Sequence, residues 1–223
     1  MAAKKHNMFR SKARLAFNVQ EAQQHDYIFF NNPVFVQGYA LACAVGGAVD
    51  LQTAAVLALA GCMLIIPVRL LGELAVGRIK ARLRMLFYVG VGAVLSVPML
   101  IVVYRIFGVE AVLAGIFLPL LFIDGAVTWR AGESKREGAR VVLRGALSSA
   151  AGFALALLLI GGVRELLGKG ALWETALFSR GVWPAAQTLP GGFIITALLA
   201  AFWQYLSAAA KRLLFIGGRE EDD

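Results

Sequence analysis

The sequence predicts an all-α, polytopic membrane protein with six transmembrane helices and no soluble domain. Of its 223 residues, 59% are hydrophobic and only 16% are charged, whereas roughly a quarter of an average soluble chain is charged. Apolar runs of about twenty residues recur along the whole length, and each is long enough to cross a bilayer. The net charge is +8, and the basic residues lie between these runs, which indicates a role in membrane orientation rather than in nucleic-acid binding.

Three regions follow from this pattern. Residues 1–27 are predicted to form a basic, amphipathic leader without the apolar core of a signal peptide, so we expect it to lie on the cytoplasmic membrane surface. Residues 28–210 form the six-helix transmembrane domain, and residues 211–223 form a charged cytoplasmic tail. The predicted membrane segments are approximately 28–48, 52–74, 85–107, 109–128, 145–164 and 191–210.

Lysine and arginine predict the orientation of the chain. The leader, the second link, the fourth link and the tail are rich in these residues, whereas the first and third links are poor. Because cytoplasmic loops carry the excess of positive charge, both termini are predicted on the cytoplasmic side of a bacterial inner membrane. The basic residues of the two internal rich links are Arg78, Lys80, Arg82, Arg84, Arg130, Lys135, Arg136, Arg140 and Arg144.

The first and fourth segments are irregular, which predicts broken helices. Asn31, Asn32 and Pro33 open the first segment, and the fourth contains Pro119 and then Asp124. Broken backbone at membrane depth must be covered by protein or line a cavity, so both segments are expected to face the interior. Since two regular segments follow each of them, we predict a 3+3 inverted repeat.

The second and fifth segments end alike, which supports the repeat. Residues 68–72 read Val-Arg-Leu-Leu-Gly, and residues 163–168 read Val-Arg-Glu-Leu-Leu-Gly. Arg164 and Glu165 are expected to pair with each other or to extend to the membrane interface. Small residues at three- and four-residue spacing predict a close helix-packing face on the fifth segment: Gly145, Ser149, Gly152 and Ala156.

Two side chains inside the apolar segments are candidates for chemistry. Cys43 lies about eleven residues after Asn32, roughly 16 Å along a helix and near mid-membrane, where a thiolate suits an iron–sulfur cluster. A buried cysteine serves equally as a small hydrophobic residue, which is also the interpretation of Cys62. Asp124, an acidic residue inside the fourth apolar segment, is a candidate for ion or proton handling or for capping a half-helix.

The remaining sequence contains no phosphate-binding glycine loop and no Cys-x-x-Cys pair, and its two histidines, His6 and His25, both lie in the leader. Flavin, nicotinamide, haem and ATP sites would therefore have to come from partner proteins. If the chain serves an enzyme complex, it is predicted to be a non-catalytic subunit.

Three stretches resemble the Rnf E-type and Nqr D-type subunits of the Rnf/Nqr family of integral membrane proteins. Residues 31–37, Asn-Asn-Pro-Val-Phe-Val-Gln, resemble the opening of that family's first span. Residues 152–170 resemble its fifth span and the following loop, and residues 189–194, Leu-Pro-Gly-Gly-Phe-Ile, resemble the start of its sixth. The likeness keeps the same order over about residues 28–210.

The resemblance implies a membrane subunit of an ion-translocating electron transport complex, with six spans and an inverted repeat. It implies pairing with a homologous subunit of opposite topology, together with flavin- and iron–sulfur-bearing subunits. It also implies that each paired subunit supplies one cysteine from its first span and one from its fourth to a shared 2Fe–2S cluster. That cluster passes electrons across the bilayer while the complex moves sodium ions or protons.

This sequence departs from the family pattern at both cysteine positions. Counted from the Asn-Asn-Pro motif, the first-span cysteine falls on Ala42, and Cys43 comes one residue later, a rotation of about 100° on a helix. In the fourth span, Asp124 and Gly125 stand where the family has Asn-Cys, and glycine has no side chain to bind metal. We therefore expect a diverged subunit whose iron–sulfur site is lost, or altered to use Cys43 with a substitute such as Asp124.

Two other functions stay open. An inverted-repeat carrier, or the membrane partner of a transport ATPase, would use Asp124, Gln37 and the broken helices to line a path for a substrate or cation. A purely structural membrane subunit would stabilise a complex without carrying electrons.

Overall fold

The computed structural model describes residues 26–75, 78–128, 138–173, 175–179 and 181–220, and this part of the chain is mostly helical. Nearly all of the predicted leader lies outside the described residues. In chain order the helices are α1 (Leu51–Ala75), α2 (Ala81–Phe107), α3 (Val109–Ala114), α4 (Phe117–Leu120), α5 (Gly125–Thr128), α6 (Ala139–Lys169) and α7 (Leu189–Glu220).

Four of the described helices are long and apolar enough to cross a membrane: α1, α2, α6 and α7. They correspond to the predicted second, third, fifth and sixth segments. Helix α7 runs to Glu220, so the predicted tail begins as a continuation of this helix. A hairpin of β1 (Ala171–Leu172) and β2 (Thr175–Ala176) and a 3-10 turn, Pro184–Gln187, connect α6 to α7.

The two other predicted segments are broken. The first passes through successive turns, with positive φ at Gly38 (71°) and Ala40 (58°), and ends in one π-helical turn, Cys43–Gly47. The second comprises α3, α4, a 3-10 turn (Leu121–Ile123) and α5. We call residues 26–50 the first broken segment and residues 109–128 the second broken segment. Within the described residues, four of the six predicted segments are continuous apolar helices and the other two are broken.

Helices α1 and α6 form the centre of the molecule and pack along much of their length. Small residues allow this close approach: the ring of Phe153 lies against Gly61, and Ala54 lies against Gly161. The Cys62 thiol donates to the Ala150 carbonyl oxygen at 3.5 Å within the same interface. The predicted packing face on α6 is confirmed, because Ser149, Gly152 and Ala156 are buried.

Helices α2 and α7 cover the outside and present long apolar side chains outward. Val94, Leu198 and Phe202 are 72%, 65% and 59% exposed, respectively. Exposed apolar surface of this extent is incompatible with a water-soluble monomer. Together with the four apolar helices, it identifies a membrane protein whose outer face meets lipid or other subunits.

Candidate functional site at the broken segments

Asn32 organises the start of the first broken segment. Its side chain is fully buried, and its Oδ1 accepts hydrogen bonds from the amides of Val34 (3.0 Å) and Phe35 (3.1 Å). Its Nδ2 donates to the carbonyl oxygens of Ile28 (3.0 Å) and Gly152 (2.9 Å). One amide group thus satisfies three backbone groups of the broken segment and joins the segment to the backbone of α6.

Helix α7 satisfies two further carbonyl groups of the same segment. Trp203 Nε1 donates to the Phe29 carbonyl oxygen and Gln204 Nε2 donates to that of Phe35, both at 2.9 Å. The Trp203 ring also lies 5.2 Å, centroid to centroid, from the rings of Phe29 and Phe35. Neither residue is predicted from the sequence, although a glutamine within an otherwise apolar helix is a usable signal.

Arg69 of α1 holds the beginning of the segment. This arginine is 1% exposed, and its guanidinium group donates to Ser149 Oγ (2.7 Å) and to the Gly145 carbonyl oxygen (3.3 Å). Its guanidinium carbon lies 5.8 Å from the ring centroid of Tyr27, within cation–π range. The Tyr27 amide in turn donates to Ser148 Oγ at 3.1 Å.

Arg164 of α6 holds the end of the segment. It is fully buried within the protein, so its side chain does not extend outward, and its hydrogen bonds go to backbone carbonyl groups. The sequence does not predict these hydrogen bonds, because Arg164 is expected at the end of a segment and its acceptors are distant in sequence. The acceptors are the oxygens of Ala186 (2.9 Å, from Nε), Val45 and Ala48 (2.6 and 2.9 Å, from Nη1), and Gln187 and Thr188 (3.4 and 3.3 Å, from Nη2).

Carboxylates cap the start of α1 beside this arginine. Asp50 Oδ1 accepts from the Thr53 amide (2.9 Å) and hydroxyl (2.7 Å), and its Oδ2 pairs with Lys169 Nζ at 3.2 Å. Glu165 Oε2 accepts from the Leu51 amide at 2.9 Å. Burial acts to raise the pKa of Asp50, but the hydrogen bonds from Thr53 and the charge of Lys169 outweigh it and lower that pKa below 3.8.

An Asp50→Asn variant should show a pH-dependent loss of stability. Asparagine still caps the helix, so the change removes mainly the charge facing Lys169, which is half-exposed, and we expect a loss below about 1 kcal/mol. A lowered folded-state pKa means that the charged form stabilises the protein above the unfolded pKa. Unfolding in detergent should therefore separate the two proteins at pH 7, with the difference shrinking as the pH falls below about 4 and vanishing only below the lowered folded-state pKa of Asp50. A difference that persists in acid would contradict this assignment.

Of the two site residues predicted from the sequence, Cys43 lies between the broken segments and Asp124 belongs to the second of them. Cys43 is 1% exposed, and its thiol donates to the carbonyl oxygen of Phe117 in α4 at 3.9 Å. The Asp124 carboxylate lies near enough to act electrostatically on that thiol. The Asp124 backbone carbonyl also begins α5, accepting from the amides of Val127 and Thr128 at 3.1 Å.

Ala42, the position that corresponds to the family's first-span cysteine, is exposed on the surface, while Cys43 points into the interior. Gly125 opens α5 directly after Asp124. Among the described residues, no three histidine, cysteine, aspartate or glutamate side chains are grouped so that they could hold a metal ion.

The stretches that carry the family resemblance meet at the first broken segment. Asn32 contacts Gly152, and Arg164 joins the end of the segment to the loop before α7. These motifs therefore build and hold a broken membrane segment, which gives them a structural reason to occur together.

Comparison with known proteins agrees with the resemblance. The family model described as "Rnf-Nqr subunit, membrane protein" matches residues 23–200. A protein of Shewanella oneidensis, named as the E-type subunit of an ion-translocating oxidoreductase complex, is 29% identical over 188 residues, covering 77% of this chain and 81% of its own length. Proteins named in the same way from Shewanella baltica and Shewanella putrefaciens are each 29% identical over 199 residues, covering 81% of this chain and 85% of their own.

Proposed function

Because this chain belongs to the Rnf-Nqr family of membrane protein subunits, we propose that it serves an ion-translocating oxidoreductase complex as a diverged membrane subunit without its own iron–sulfur ligands. The observation that carries the second half of this proposal is the contrast between Ala42 and Cys43. The exposed position bears a methyl group, and the thiol one residue later is turned inward.

The ligand set does not fit a 2Fe–2S cluster shared between two subunits. Such a cluster needs four ligands, and thiolates are the usual ones. A shared cluster requires ligands on the surface that faces the partner, whereas Cys43 is 1% exposed and its thiol contacts the Phe117 carbonyl oxygen. Gly125 supplies no side chain. This chain therefore offers no surface thiolate at either expected position.

We also propose that the two broken segments complete a six-span, 3+3 inverted repeat. The first is largely buried, the second buries one face that includes Leu118 and Leu121, and the two lie against each other at Cys43 and Phe117, as the centre of such a repeat requires. The similar ends of α1 and α6 both carry a buried arginine, Arg69 and Arg164, which supports the internal symmetry. Both termini would then lie on the cytoplasmic side of a bacterial inner membrane.

The proposed partners are a homologous membrane subunit of opposite topology and subunits that carry flavin and iron–sulfur groups. Purification of the tagged chain from native membranes, in mild detergent and without oxygen, tests this directly. Flavin- and iron–sulfur-bearing subunits should be recovered with it. Recovery with ATPase subunits, or alone as a stable oligomer, would refute the redox role and favour transport.

Replacing Cys43 by serine should leave electron transfer unchanged, within about twofold, in the assembled complex. The serine hydroxyl is similar in size and can donate to the same Phe117 carbonyl oxygen, so the interior packing is retained. Electron transfer from donor to acceptor is the readout, and Ala42→Ser is the matched control at the exposed neighbour. A large loss of activity with intact assembly would show that Cys43 is a ligand after all.

Asp124 is the residue that we propose for ion or proton handling. The contacts that begin α5 use its backbone carbonyl, which Asp124→Asn retains, while the substitution removes the negative charge from a side chain of similar size. We expect fewer ions moved per electron in membrane vesicles, with unchanged assembly. Unchanged pumping would exclude a role for this carboxylate.

A further inference from the structure

We propose that Arg164 is a permanent internal cation: its guanidinium group occupies a cage of backbone carbonyl groups at the end of the first broken segment and closes that cage to mobile ions. This proposal concerns the chain alone and does not depend on its role in electron transport.

The donors of Arg164 match the acceptors around it. A guanidinium group has five N–H donors, and Arg164 makes five hydrogen bonds, all to backbone carbonyl oxygens. Two of the acceptors, Val45 and Ala48, belong to the end of the first broken segment. The other three belong to the turn before α7. The carbonyl groups of the cage thus come from two stretches of chain, and Arg164 of α6 joins them.

The positive charge of Arg164 needs stabilisation inside the protein. Arg164 is fully buried at a place where a bare cation would be costly, so the surroundings must stabilise the positive form. Carbonyl dipoles that converge on one point do so, and the carboxylate of Asp50 adds an attractive field. Unwound carbonyl groups at helix breaks are the groups with which membrane transporters coordinate cations. Here a side chain of the same protein takes that place.

A glycine of α7, Gly192, leaves space for the guanidinium group. A Cβ atom on Gly192 would lie 2.9 Å from the Arg164 guanidinium carbon and 3.0 Å from the Val45 carbonyl oxygen. Glycine at this position therefore leaves the room that the planar group needs. Gln187 Nε2 donates to the backbone oxygen of Arg164 at 2.8 Å and holds the arginine against the same turn.

The closing experiment compares Arg164→Lys with Arg164→Met in the full-length chain. Both side chains are long, but only lysine brings a positive charge to the carbonyl groups. We expect thermal stability in detergent, followed by fluorescence-detected size exclusion, to fall in the order wild type, lysine, methionine, with a drop of about 10 °C or more for methionine. A methionine variant as stable as the lysine variant, or equal loss of both, would overturn the proposal.

Arg164→Ala adds a test of the cage itself. Millimolar guanidinium chloride should restore part of the stability of this variant, because the free cation can enter the vacated cage. The same concentration of sodium chloride or urea should not restore it. Wild type and the exposed-site control Arg105→Ala should not respond to guanidinium. Absence of a guanidinium-specific effect in a folded Arg164→Ala protein would show that the cage does not bind cations.

Discussion

An Asn32→Asp variant is expected to lose the native structure of the first broken segment. The substitution replaces the donating Nδ2 by an acceptor directly against the carbonyl oxygens of Ile28 and Gly152, at a fully buried position. The aspartate is either charged at a buried position or protonated, and the protonated form donates one hydrogen bond where Asn32 donates two. We expect a cost of about 4 kcal/mol or more, enough to remove most folded protein from the membrane.

Asn32→Ala is the matched comparison, because it removes the same hydrogen bonds without adding an acceptor. The expected order of stability is wild type, alanine, aspartate, measured as the amount of monodisperse protein and its unfolding temperature in detergent. An aspartate variant at least as stable as the alanine variant would mean that Asn32 does not donate to these carbonyl groups.

Two adjacent glycines of α6 should respond in opposite ways to the same change. A Cβ atom on Gly161 would lie 2.6 Å from both the Ala54 Cβ and the Asp50 carbonyl oxygen, so Gly161→Ala must push α1 away. We expect a cost of about 2–3 kcal/mol. At Gly162 the nearest atom is Leu51 Cδ1 at 3.7 Å, so Gly162→Ala should be neutral or stabilise the helix by up to about 1 kcal/mol.

Unfolding temperatures of the two alanine variants in the same detergent check this difference. Helix propensity alone would make both substitutions favourable, so only close packing of α1 on α6 predicts opposite signs. Equal effects of the two substitutions would show that the helices are further apart than the structure has them.

The predicted breaks in the first and fourth segments agree with the structure. Whether Cys43 could bind a cluster depended on the direction of its side chain, which the sequence did not predict. Pro33 and its preceding asparagines indicate that the first segment cannot be a regular helix, and the chain there forms turns. The spacing of Cys43 placed it near mid-membrane but left its direction open. In the structure the π-helical turn begins at Cys43, and the thiol still points inward while Ala42 takes the exposed side.

The surroundings of Arg164 could not be predicted from the sequence either. A charged residue at the end of an apolar segment is equally consistent with a membrane-interface position and with burial. Its carbonyl partners at residues 45 and 48 lie more than a hundred positions earlier in the chain. Only the packing of α6 against the first broken segment brings them within hydrogen-bonding distance.

The sequence by itself determined the membrane class, the four long apolar helices, the two broken segments and the family, because these follow from hydropathy, from proline and glycine chemistry, and from motifs contiguous in the chain. The tertiary structure alone decided which side chains face inward and what satisfies the broken backbone. Those outcomes depend on contacts between residues distant in sequence, and on a rotation of about 100° per residue that separates a buried thiol at Cys43 from an exposed methyl group at Ala42.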